Sequence, residues 1–259
     1  MSRTLHFSSF AWRSELGLHR EGNEDSGLVS KNLIAVADGM GGYAGGEVAS
    51  RTAIKTLGEL LPVLNSPELD SQSRDDIYSS SIREIDLAIK SIADRKPELD
   101  GMGTTLTSIT LFENQVHLLH VGDSRAYRIR GKTITRLSHD HTVVQELIDQ
   151  GRISAEEASE HPQRSLLTQA LMGKSNVEAP IQSFPAQPGD IYLVCSDGLT
   201  VVIDEGKIAA AFVEDLQSAV NSLVDLTYKK DAPDNVTVIA ALIGDAPSEI
   251  TTTQIGAAQ

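Results

Sequence analysis

Three aspartates stand where packing alone gives them no purpose. The apolar run Leu33 to Ala37 ends on Asp38, the run Ile191 to Ser196 ends on Asp197, and Asp234 lies just ahead of the run Val236 to Ile243. Asp-Gly at a strand end, as at Asp38 and Asp197, is ordinary turn chemistry, and any one of the three taken alone reads as a turn residue. Taken jointly they describe carboxylates that strand ends from distant parts of the chain can bring to one edge. A buried carboxylate needs a partner, and a hard divalent cation is the strongest one. Gly39, with Gly41, Gly42 and Gly45 close behind, lets the backbone turn tightly enough for the Gly39 carbonyl to become a ligand as well. The donors are oxygens, and no histidine pair has the zinc spacing H-E-x-x-H, so the set selects Mg²⁺ or Mn²⁺ over zinc. Two such ions can share a water, lower its pKa and aim it at phosphorus for in-line attack.

Other chemistries fit less well. Gly39-Met40-Gly41-Gly42-Tyr43-Ala44 matches G-x-G-x-x-A after a strand, with Glu59 about twenty residues on, as in a dinucleotide site. Glu59 falls inside a helical pattern, however, and Asp38 would set a carboxylate against the pyrophosphate. The sequence has no G-x-S-x-G elbow, no G-x-x-x-x-G-K-[ST] loop and no EF-hand loop. His139-Asp140-His141 could bind a metal, but it opens a capped helix and lacks a second histidine set, so it reads as a helix entry.

The elements that must position these residues follow from the pattern of apolar residues. Short runs without helical period read as strands buried on both faces. Glu47 to Leu61 is helical in composition, and Tyr78, Ile82, Ile85, Ile89 and Ile92 mark one face of a second helix. Thr104 to Phe112, Gln115 to Val121, Ser124 to Arg130 and Thr133 to Leu137 read as an antiparallel meander with turns at Glu113-Asn114 and Gly131-Lys132. Thr142 with Gln145, and Ser154 with Glu157, are capping signals for two short helices, while His161 to Val177 is irregular and Asp204 to Tyr228 is helical. Strands in the middle with helices in separate blocks give an α+β class, helices covering a two-sheet sandwich. No linker divides the 259 residues, so residues 1–244 are expected to form a single domain and 245–259 a disordered tail.

Composition narrows the partners. A formal charge of −14 works against nucleic acid and suits metal cations or basic proteins. The lone Cys195 precludes an intramolecular disulfide and reads as a buried thiol in a reducing compartment. With no apolar stretch of about 18 residues and no signal-like N-terminus, a cytoplasmic location away from membranes is expected.

At these residues the chain resembles the metal-dependent protein phosphatases of the type 2C family, in their compact bacterial form. The likeness runs from about Leu16 to Ile243. It is carried by Arg20 to Ser26, Asp38-Gly39-Met40-Gly41-Gly42, Gly45-Gly46-Glu47, Gly101 to Thr105, Val121-Gly122-Asp123-Ser124-Arg125, Asp140-His141, His161-Pro162, Gly189-Asp190, Ser196-Asp197-Gly198 and Asp234 to Thr237. The resemblance implies a central antiparallel β-sandwich flanked by pairs of helices in α-β-β-α layers, with the site at one end. It implies that Asp38 bridges two Mn²⁺ or Mg²⁺ ions, with the Gly39 carbonyl and Glu24 on one side and Asp197 and Asp234 on the other. By the same resemblance Asp25 acts through metal-bound waters, Asp123 joins Asp197 at a weaker third metal, and Arg20 grips the substrate phosphate. Residues 138–177 correspond to accessory helices and a flap, where Arg152 and Arg164 could meet a phosphoprotein. Many bacterial relatives carry histidine where this chain has Tyr43, which leaves the general acid unassigned. The implied activity is hydrolysis of phosphoserine and phosphothreonine on proteins by a monomer that opposes a serine/threonine kinase. A regulator that dephosphorylates one small partner, or a catalytically dead binding module, would need an attached sensor domain or a missing metal aspartate.

Overall fold

The computed structural model describes residues 4–42, 45–174, 177–213 and 215–259. Its two sheets are antiparallel throughout. The first joins β1 (His6–Glu15), β11 (Val236–Gly244), β10 (Ile191–Cys195), β7 (Arg125–Arg130) and β8 (Thr133–Arg136) in that order. The second runs β12 (Thr253–Gly256), β2 (Asp25–Val29), β3 (Leu33–Met40), β5 (Leu106–Phe112), β6 (Gln115–Val121) and β9 (Gln182–Pro185), with the short β4 (Gly103–Thr104) also on β3. The helices α1 (Gly45–Leu64) and α2 (Ser71–Arg95) cover the second sheet. On the opposite face of the molecule α5 (Asp197–Thr200), α6 (Glu205–Ala211) and α7 (Leu216–Lys229) cover the first. Two short helices, α3 (Val143–Asp149) and α4 (Ala155–Ser159), follow the meander.

This four-layer arrangement explains why the aspartate-terminated runs lack alternation. In β3, Leu33, Ala35 and Ala37 face the α1–α2 layer, while Ile34 and Val36 face the other sheet. In β10, Tyr192 and Val194 fill the space between the sheets, and Leu193 and Cys195 pack under α5–α7. Both faces of each strand are covered, so both must be apolar. Cys195 is a buried free thiol, as its setting in the sequence suggests.

Several expectations need correction. Residues 245–259 are not a disordered tail: β12 pairs with β2 from Thr253↔Val29 to Gly256↔Ser26, and Ile255 is buried between the sheets. The segment is short and mostly polar, with only Ile250 and Ile255 to anchor it, which is why composition alone reads as disorder. The helical stretch 204–228 is two helices, each capped by an aspartate: Asp204 accepts from the Lys207 N–H and Asp215 from that of Ser218. The strand expected from Thr104 to Phe112 is broken at Thr105, which turns its backbone and hydroxyl toward Asp38. Ser154 and Glu157 form the full reciprocal cap, whereas Gln145 leaves Thr142 with one bond and reaches Asp149 instead. Among the described residues no helix is long and apolar enough to cross a membrane.

Candidate metal centre

The fold brings the carboxylates to one end of the sandwich by register. Asp25 lies opposite Asp38 across β2 and β3. Asp197 opens α5 one residue after Ser196, which follows β10, and Asp234 precedes β11, the neighbour of β10. Asp123 sits in the turn between β6 and β7.

Asp38 is held by its backbone, which leaves its carboxylate available. Its N–H donates to the Thr105 hydroxyl at 2.9 Å, and its carbonyl accepts from the Thr105 N–H and the Thr104 hydroxyl, each at 2.9 Å. Thr105 in turn shares a 2.8 Å hydrogen bond with the buried Ser124. Asp25 is buried; one carboxylate oxygen accepts from Ser196 at 2.6 Å, and the other, Oδ1, has no hydrogen-bond partner. Ser196 Oγ also accepts from the Thr237 N–H at 3.0 Å, so one hydroxyl ties β2, β10 and β11 together at the site.

Electrostatically the edge is a cluster of like charge that lacks a counterion of matching size. Burial, then the neighbouring aspartates, push the carboxyl of Asp38 well above the usual carboxylate range. Asp25 and Asp123 shift upward for the same reasons, burial first and Asp197 among the repelling charges. Asp197 also rises, chiefly through burial and Asp234, although its contact with Asp38 and the charges of Arg20 and Arg125 hold it back. Glu24 rises through burial, moderated by Arg20. Arg20 reaches the cluster itself, its guanidinium donating to Asp234 Oδ2 at 2.6 Å.

The glycines mark where backbone comes too close for a side chain. A Cβ on Gly39 would lie 2.1 Å from the Gly46 carbonyl oxygen, and one on Gly198 would lie 1.9 Å from that of Asn235. Close approach, rather than left-handed backbone, is the requirement at both positions, since neither has positive φ.

These residues fit a hard divalent cation. The donors are carboxylate and carbonyl oxygens, a buried carboxylate oxygen is orphaned, and the like charges disfavour their own ionisation without a cation. Among the described residues no three His, Cys, Asp or Glu side chains are gathered tightly enough to hold an ion by themselves.

Sequence reasoning missed the residues that hold the ligands. Asn235 accepts from the Glu24 N–H at 2.8 Å and donates to the carbonyls of Leu16 at 2.7 Å and Gly22 at 3.0 Å, fastening the loop that carries Arg20. Ser196, Thr105 and Ser124 do the same for the aspartates. All four lie within the motif segments that carry the resemblance, but nothing in the sequence assigns them this supporting role. His139-Asp140-His141 leads into the Thr142 cap of α3: Asp140 is bidentate to Arg125 at 2.6–3.1 Å, and His141 Nδ1 accepts from the Gly122 N–H at 3.0 Å, fixing the Asp123 turn. Arg164 lines a cleft of about 640 Å³ that adjoins Asp123 and Asp197, whereas Arg152 does not line it. Tyr43 lies outside the described residues.

Comparison with known proteins identifies the family. The family model for protein phosphatase 2C matches residues 23–227. The serine/threonine protein phosphatase PstP of Mycobacterium tuberculosis is 42% identical over 246 residues, which is 95% of this chain and 47% of PstP. The chain thus spans about half the length of that relative. The serine/threonine phosphatase stp of Listeria welshimeri is 35% identical across 88% of this chain and 93% of its own. The crystal structure of the PstP catalytic domain in complex with two manganese ions superposes with a TM-score of 0.84 at 38% identity, covering 93% of this chain and 99% of that one.

Proposed function

The chain belongs to the protein phosphatase 2C family, and on that premise we propose that it removes phosphate from phosphoserine and phosphothreonine in proteins with two Mn²⁺ or Mg²⁺ ions. The observation that carries this reading is the convergence of Asp25, Asp38, Asp197 and Asp234 with Arg20 at one end of the sandwich. Bound there, the ions supply charge neutralisation and a water acidic enough to attack phosphorus at neutral pH.

The protein's own residues do the rest. Asp38, fixed through Thr105, lies between the β2 side of the site, with Glu24, Asp25 and the Gly39 carbonyl, and the β10–β11 side, with Asp197 and Asp234. By the family resemblance it would serve both ions when they are bound. By the same resemblance Asp25, whose Oδ1 is unpartnered, would act through metal-bound waters, and Asp123 with Asp197 would hold a third, weaker ion. Arg20 supplies fixed positive charge for a phosphate dianion that must approach several carboxylates, and can exchange its bond to Asp234 for a phosphate oxygen. The proton donor to the leaving alkoxide is unassigned. The catalytic domain would run from β1 through β12, with 138–177 beside the site. A phosphorylated protein is the substrate class, and we place the enzyme as a cytoplasmic monomer opposing a serine/threonine kinase.

The test is hydrolysis of a phosphothreonine peptide with Mn²⁺, Mg²⁺ or chelator, comparing wild type with Asp38→Asn. Turnover that needs metal and vanishes in the variant is expected. Metal-independent turnover, or none, overturns the proposal.

A further inference from the structure

The helical hairpin over the second sheet carries a groove of about 720 Å³ that no part of the catalytic argument uses. Its floor is Val48 of α1 and Ile92 of α2, both partly buried against the core beneath. Its walls carry Arg51, Lys55, Arg95 and Lys96, with Glu59 as the single acidic residue. In a chain of 22 basic and 36 acidic residues, four bases to one acid is a local inversion of charge. The cleft beside the metal centre shows no such excess, since its three arginines share the lining with five acids.

Little inside the fold accounts for these cations. Arg51 pairs with Glu47 and donates to the Ala257 carbonyl, and Arg95 donates to the Ser91 carbonyl at 2.9 Å. The ammonium groups of Lys55 and Lys96 have no hydrogen bond or ion pair among the described residues. Arg95 and Lys96 complement the carbonyl end of α2, but Lys55 lies in the middle of α1 and has no such role.

Position gives the groove its meaning. Because α1 and α2 form an antiparallel hairpin, the end of α2 returns to the N-terminal half of α1, the half that starts at the metal centre. A Cβ on Gly46 would lie 2.8 Å from the Glu24 carboxylate, and Glu47 is close enough to raise the Glu24 pKa. From Glu47 to Lys55 the helix rises only about 12 Å.

We infer that this groove is a docking site for an acidic segment of the phosphoprotein substrate, a stretch of Asp and Glu about four to eight residues from the phosphorylated side chain. The inference rests on the phosphatase reading. A net charge of −14 disfavours an acidic segment on average and a local inversion relieves that repulsion, so the groove can admit the segment and set its direction. A nucleic acid, with its continuous charge, would face the same repulsion over a longer path.

The test compares phosphothreonine peptides with one common centre, carrying an Asp/Glu cluster on either side or uncharged residues in its place. Wild type should show a KM roughly three- to tenfold lower for one acidic peptide, and 0.5 M NaCl should erase the difference. Lys55→Glu with Lys96→Glu should abolish it, leaving turnover of p-nitrophenyl phosphate, which has no chain to dock, unchanged. If that pair fails to fold, Lys55→Gln with Lys96→Gln serves, with a smaller loss. Equal KM for all peptides, or a preference that survives the substitutions, overturns the inference, as does an oligonucleotide that binds the groove more tightly than the acidic peptide. If no phosphorylated compound is hydrolysed, the phosphatase reading fails. Fluorescence anisotropy of the unphosphorylated acidic peptide then decides the groove separately, by salt-sensitive binding lost in the variants or by its absence.

Discussion

At Asp38 the backbone is fixed by Thr104 and Thr105 while the carboxyl faces Asp25, Asp197, Asp123 and Asp234, so the fold holds a charge there that it does not neutralise. A group whose folded-state pKa lies above its unfolded value binds more protons when folded, so its contribution to stability falls as pH rises above about 4. At pH 7.5 without metal, Asp38→Asn should therefore raise Tm, by about 2–4 °C for each kcal/mol of repulsion relieved, while losing the rise in Tm that Mn²⁺ gives the wild type. Thermal scans with Mn²⁺ or EDTA check both signs, and a variant less stable than wild type in EDTA would contradict the argument. His120 has the opposite dependence. Burial, then the nearby His141, push its imidazole down to about 4. It therefore stays neutral in the folded protein, and stability falls as pH drops from about 6.5 toward 4. Between pH 7 and 5 this is on the order of 2 kcal/mol, a slope that His120→Gln should flatten in denaturant titrations at the two pH values. Such a residue is hard to read from sequence. The aspartates stand out because an apolar run leads into them, but His120 lies inside a strand, and its role depends on Thr107 and the His139 carbonyl, 13 and 19 positions away.

At the scale of elements, doubly buried strands and tight-hairpin partners such as the edge strand β8 are easy to read, and the terminal edge strand β12 is not. β3, β10 and β11 show themselves because each is covered on both faces. β12 has four residues and one anchor, and its meaning lies in what it touches: the Ala257 N–H donates to the Asp25 carbonyl at 2.7 Å, and Ile255 packs so closely over Gly27 that a Cβ there would lie 2.6 Å from its side chain. The last strand thus braces the backbone of a metal-site aspartate from the outside. Ending the chain at Glu249 should remove the burial of Ile255, about 2 kcal/mol, and lower Tm by roughly 5 °C or more. It should also raise the Mn²⁺ concentration for half-maximal activity, by about tenfold, the lower end of what lost supports to metal ligands cost. An unchanged Mn²⁺ midpoint would show that β12 contributes stability alone. Asn235 belongs to the same class of hidden support, because an asparagine after Asp234 gives no sign that it will fasten Leu16, Gly22 and Glu24.

For the whole molecule, layering was legible in the sequence because coverage on both faces leaves a compositional mark, whereas strand order was not, since β1 at one terminus pairs with β11 near the other and no local pattern encodes that partner. The same layering governs how the protein unfolds. Each sheet is shared between two cores: Ala35 and Val36 are neighbours in one strand yet belong to different clusters, as do Leu193 and Val194. Removing either helical layer exposes one face of a sheet whose other face holds the centre together, so neither half has a core it can keep alone. Chains above about 150 residues often unfold through intermediates, but shared sheets argue for one transition here. Calorimetry in EDTA should give a single peak with calorimetric and van't Hoff enthalpies in agreement. Mn²⁺ should move that whole peak upward as its concentration passes the dissociation constant, because ligands from both sheets make the ions a stabiliser of the native state as a unit. Two resolved peaks, with only one responding to Mn²⁺, would mean that the α1–α2 or α5–α7 layer melts by itself and that the sandwich from β1 to β12 is not one folding unit.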